Sequence, residues 1–163
     1  MKHARIFHRK GVAHLLLPLA IGLAIGGCDD PLEVEDHIDV EGFVLFEGAT
    51  EIYRYSLDDG TPPPLELVTA THDVLFVPLG HDGELMTADD ADHEEELELR
   101  ITISDTEILR WTPEAGGTGA HDFIEFPGEL TGVRAGTTNM LVCVPHGDHC
   151  DFEAAVPVTV TAP

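Results

Sequence analysis

Cys143, His146, Asp148, His149, Cys150 and Asp151 crowd one stretch near the C-terminus of this 163-residue chain. Imidazole, thiolate and carboxylate are the usual donors to zinc and copper, so the stretch is a candidate transition-metal site. Two histidines three apart across a turn can converge on one ion. Neutral imidazole is the ligand form, so affinity should fall as acid protonates the ring nitrogens. The cysteines have a second possible fate, because outside the cytoplasm they can oxidise to a hairpin disulfide and cease to be ligands. His146, Asp148 and His149 would then be completed from elsewhere in the fold. The candidates are His37 and Asp39, ahead of the first strand, and His121, ahead of a later one. The same histidines can equally be plain polar turn residues. Calcium is a separate option at Asp89, Asp90, Asp92 and Glu94, which offer hard oxygens but lack the spacing and central glycine of an EF-hand. His72, His81 and His93 lie in other turns or the acidic loop and suit only weak, nonspecific cation binding.

Catalytic patterns are missing. Ser56 and Ser104 lie in strand-like surroundings without a nucleophile-elbow motif. Gly116-Gly117-Thr118-Gly119 is not followed by a helix that could present a phosphate cradle. Carboxylates are so numerous that choosing two as acid and base would be arbitrary. No enzyme is expected.

The elements that must position these side chains read as strands. Leu97, Leu99, Ile101 and Ile103 alternate with Glu96, Glu98, Arg100 and Thr102, and Phe152, Ala154, Val156, Val158 and Val160 alternate near the C-terminus. A period of two is the mark of a half-buried strand. Shorter candidates span 43–46, 52–56, 65–70, 74–77, 108–111, 123–126 and 140–144, separated by turn signals at Asp58-Asp59-Gly60, His81-Asp82-Gly83, Gly116-Gly117, Pro127-Gly128 and Ala135-Gly136. No window of helical length carries a 3.6-residue stripe. About seven to nine antiparallel strands at this spacing predict an all-β sandwich. For the last hairpin, apolar pairing favours Val142 opposite Phe152 and Met140 opposite Ala154, which sets Cys143 opposite Asp151. Joining Cys143 to Cys150 then needs a bulge or a one-residue shift.

The first 27 residues differ from the rest. Lys2, Arg5, Arg9 and Lys10 form a basic start, residues 15–25 an apolar run broken only by Pro18 and Gly22, and Ile25-Gly26-Gly27-Cys28 a small-residue cleavage site. The run is too short to span a bilayer comfortably. The cleavage site resembles the lipobox of bacterial lipoproteins, which implies that Cys28 is acylated and becomes the first residue of a membrane-anchored, exported chain. On this reading 1–27 is a signal peptide, 28–36 a tether and 37–163 the folded domain. Asp29-Asp30 resembles an inner-membrane retention signal, but that rule differs among lineages, so the membrane stays open.

Past Cys28 the chain has no lysine and only Arg54, Arg100, Arg110 and Arg134 against all 31 acidic residues. Such a surface repels nucleic acid and anionic headgroups and suits cations, basic partners or plain solubility.

Residues Leu130-Thr131-Gly132-Val133-Arg134-Ala135-Gly136-Thr137-Thr138, with Ser104-Asp105-Thr106-Glu107-Ile108 upstream, resemble bacterial Ig-like domains of the group 2 type over roughly 100–144. His81-Asp82-Gly83-Glu84 is a looser likeness to their Asp-x-Asp-Gly turn. The chain departs from them by adding one more hairpin and strand. That His-x-x-His hairpin, together with His37-Ile38-Asp39, is similar to uncharacterised exported lipoproteins with histidines at both places. The resemblance implies an Ig-like sandwich. Such folds serve adhesion, spacing and binding alike. Two expectations therefore stand: a divalent metal held by histidines, or an adhesion or assembly module that presents a protein- or glycan-binding surface at the cell envelope without a metal.

Overall fold

The computed structural model describes residues 39–87, 90, 97–115 and 123–163. Nine strands follow in order: β1 Val40–Glu47, β2 Thr50–Ser56, β3 Leu65–Val68, β4 Thr71–Gly80, β5 Arg100–Ile103, β6 Leu109–Pro113, β7 Phe126–Gly132, β8 Gly136–His146 and β9 His149–Thr161. They form a five-stranded sheet ordered β2-β1-β4-β7-β6 and a four-stranded sheet ordered β3-β9-β8-β5. The chain is an all-β sandwich. One pairing departs from the antiparallel expectation, since β3 runs parallel to β9 with Leu65 beside Val158.

Alternation builds the core. Met140, Val142 and Val144 of β8 and Phe152, Ala154, Val156, Val158 and Val160 of β9 are buried on one face of the four-stranded sheet. Phe43, Leu45, Tyr53, Tyr55, Val74, Phe76, Leu109 and Leu130 answer them from the five-stranded sheet. Phe152 meets Phe43 edge-on at 6.1 Å between centroids, a contact that ties one sheet to the other. The chain crosses from β2 to β3 through a short 3-10 turn, Leu57–Asp59. Tyr55 donates its hydroxyl to the carbonyl of Gly60 (2.8 Å) and Tyr53 to that of Pro63 (2.9 Å), pinning this crossing against β2.

The five-stranded sheet also buries part of its outer face. Val44 lies between core-facing Phe43 and Leu45, so it points outward, where it pairs with Val77. Both are almost fully buried, as is Leu79. The segment after β4 returns along its edge, where Leu85 bridges Leu79, Met86 donates to Pro78, Ile124 donates to Met86, and Thr87 bridges Phe123.

Three expectations are corrected. The strand expected at 123–126 is only a bridge at Phe123, and the ladder starts at Phe126 and runs on to Gly132. Gly128 can sit in that strand because the indole of Trp111 occupies the space where a Cβ would stand. The strand expected from Leu97 starts at Arg100, although Leu97 and Leu99 still pack on the core. The last hairpin is two residues out of the expected register: Val142 faces Ala154, Val144 faces Phe152 and Cys143 faces Glu153, not Asp151. A slip of two leaves every side chain on its original face, so apolar alternation cannot distinguish the two registers.

Candidate metal centre

The site grows from the turn joining β8 to β9. His146 pairs with His149 across a connection of two residues, Gly147 and Asp148. Gly147 has φ of 58°, the left-handed conformation that tight hairpin turns require and glycine adopts without a Cβ clash. Further in, the register is Val144 to Phe152, but at the turn it is Pro145 to Cys150. Asp151 is therefore a bulge residue on β9.

The bulge has two effects. It turns Cys150 to the outer side of the sheet, beside Pro145 and so on the face that also carries Cys143. The two cysteines form a disulfide with Cα atoms 5.6 Å apart. The bulge also brings the Asp151 carboxylate between the histidines. Its Oδ2 lies 3.3 Å from Nδ1 of His146 and its Oδ1 lies 3.1 Å from Nε2 of His149. The imidazole rings are 5.5 Å apart. One donor atom from each of His146, His149 and Asp151 lies within 4.8 Å of the other two. Bonds of about 2.0–2.1 Å to a tetrahedral zinc set donor–donor edges of about 3.4 Å, close to the two contacts of Asp151, so the widest pair must draw together to share one ion.

Exposure separates the two aspartates. The Asp151 side chain is 16% exposed and that of His146 26%, so both are held by their surroundings. Asp148 is fully exposed, 3.6 Å from Nδ1 of His149, and does not join the three-donor group. Of the two aspartates in the donor-rich stretch, the sequence favours Asp148, whereas Asp151 is the one that lies among the three grouped donors. Asp39 is exposed just before β1 and also lies outside the group. His37, His121 and Cys28, where lipidation is expected, lie outside the described residues, as do Asp89, Asp92 and Glu94. Asp90 is described: its carboxylate accepts from the backbone N–H and the hydroxyl of Thr87, each at 2.7 Å, and these bonds hold its pKa below the usual carboxylate value. His72 sits between Oε1 of Glu47 (3.0 Å) and the carbonyl of Val68 (3.2 Å), as a histidine held locally.

No protein-family model matches this chain, and no curated protein matches it. Among solved structures, domains 4 and 5 of the S-layer protein SbsC share 19% identity with it at a TM-score of 0.40, covering 64% of this chain and 49% of that one. SbsC domains 1–6 share 17% identity at a TM-score of 0.43, covering 76% of this chain and 13% of that one. This chain spans half or less of the length of these neighbours. At these values the likeness says nothing of what it binds.

Chemically, two imidazoles and one carboxylate form a borderline-soft donor set that suits zinc or copper better than calcium. Three protein donors leave at least one coordination position for water or for a donor from outside. With the cysteines oxidised, neither sulfur competes for the ion.

Proposed function

We propose that this chain is an exported, lipid-anchored β-sandwich without enzymatic activity that binds one divalent transition ion, zinc or copper, through His146, His149 and Asp151. The observation that carries the reading is convergence: a two-residue turn, a bulge and a disulfide hold three donors of the right chemistry within 4.8 Å of one another. Net charge supports it, because a chain with a formal charge of −23 draws cations to its surface. Export and anchoring rest on the lipobox-like Ile25-Gly26-Gly27-Cys28 and place the domain at the cell envelope.

The test is elemental analysis of the chain purified without a histidine tag and dialysed against metal-free buffer. About one equivalent of zinc or copper per chain is the outcome expected for a structured three-donor site. Absence of both, after loading with either ion, would favour the rival reading of an adhesion or assembly module that presents a protein- or glycan-binding surface.

A further inference from the structure

On the outer face of the five-stranded sheet, well apart in sequence from the metal-binding turn, lies a cleft of about 300 Å³. Its floor is apolar: Phe46 of β1 and Leu75 and Val77 of β4, neighbours in the ladder. Leu85 and Phe123 also line it, from the segments bridged to Leu79 and Thr87. Phe123 is 37% exposed, an unusual state for a phenylalanine in a sandwich whose other aromatic rings are largely covered. Among the described residues the one acidic side chain lining the cleft is Glu125, a residue only 6% exposed.

The residue is buried, and a carboxylate opening onto apolar walls favours a cationic partner over those walls. Among the described residues no hydrogen bond or ion pair reaches Glu125. The arginines are engaged elsewhere or do not line the cleft: Arg54 pairs with Glu51, Arg134 with Glu107, and Arg110 donates to the carbonyl of Thr106. An apolar chamber with a single buried acid matches a ligand with an apolar body and a single cationic end. A metal ion fits poorly, because a hard cation seeks several oxygens and this lining supplies one residue of them. The volume sits at the lower end of small-molecule pockets and equals roughly ten waters.

We propose that this cleft binds a small apolar primary amine, its ammonium against the Glu125 carboxylate and its hydrocarbon or aryl body among Phe46, Leu75, Val77, Leu85 and Phe123. The ammonium supplies a partner that Glu125 lacks among the described residues, and the body displaces water from apolar walls. This reading does not depend on the metal site.

The experiment is calorimetric titration of the full chain with phenethylamine and with its neutral counterpart 2-phenylethanol. Phenethylamine should bind saturably and about ten- to a hundredfold more tightly than the alcohol, the range of a charge-assisted hydrogen bond. Glu125→Gln should bring the amine down to the level of the alcohol and leave the alcohol unchanged, which also shows that the cleft is intact. Glu153→Gln, on the other sheet, should alter neither. Equal affinity of the unsubstituted chain for amine and alcohol overturns the proposal without relying on any variant. So does an absence of saturable amine binding, or an equal loss in Glu153→Gln.

Discussion

Nε2 of His149 lies 3.1 Å from Oδ1 of Asp151, two residues further along the same strand. That contact exists because the pairing of β8 with β9 shifts between Val144 and Pro145 and leaves Asp151 without a position in the ladder. The same shift puts Cys150 on the face of Cys143. Disulfide and donor cluster are thus two consequences of one bulge, and disturbing either should be felt by the other.

Replacing both cysteines, as Cys143→Ser with Cys150→Ser, should lower stability by about 2–3 kcal/mol, the loop-entropy value for so short a closed loop. Thermal unfolding measures this. The variant should also bind zinc more weakly, since His149 and Asp151 flank Cys150 and lose the tether that holds them in place.

Tyr53 supplies a pH test. Burial, with a smaller contribution from neighbouring Tyr55, pushes its phenol up to about 12. A group whose pKa is raised on folding contributes stability that is fully present below its unfolded value and lost as pH rises through its folded one. Unfolding midpoints should therefore fall between about pH 10 and pH 12, and Tyr53→Phe should flatten that fall. At neutral pH the same variant should cost about 1 kcal/mol for the lost bond to the Pro63 carbonyl.

Packing predicts an order of severity. Leu130 is fully buried, so Leu130→Ala should cost about 2–5 kcal/mol in denaturant unfolding. Ile101 lies half-buried on β5, at the edge of its sheet, and Ile101→Ala should cost less. Glu98→Ala, exposed ahead of β5, should change stability by no more than about 0.5 kcal/mol.

How much of this was legible in the residues depends on what each pattern can encode. Alternation from Phe152 to Val160 identifies β9 and its buried face, because a period of two maps directly onto the two sides of a sheet. It cannot fix register, since slips of two preserve the face. The place of Asp151 beside the histidines was hidden for that reason, because it depends on the bulge. One clue was present, in that Cys143 and Cys150 could meet only if a residue between them left the ladder. The strand through Leu130 was obscured by Pro127, Gly128 and Gly132, residues that read as turns locally. Trp111 covering Gly128 is a tertiary fact with no local signature. The cleft at Glu125 joins residues from four separate segments, and nothing in their spacing announces it.

Lipidation is tested at a single atom. Cys28→Ala removes the thiol that acylation requires, so the variant should incorporate no labelled fatty acid in a bacterial host and should keep its first 27 residues. Labelling equal to that of the parent chain would contradict the anchor.

Zinc titration of four untagged chains by calorimetry tests the central claim most directly: the parent, His146→Ala with His149→Ala, Asp151→Asn, and Asp148→Asn. The parent should show one saturable site, absent from the double-histidine variant. Loss of a ligating carboxylate in Asp151→Asn should weaken binding by about ten- to a hundredfold, while Asp148→Asn, whose side chain is fully exposed outside the donor group, should bind like the parent. Undiminished binding by the double-histidine variant would contradict the site. Equal effects of the two aspartate variants would contradict the part assigned to the bulge.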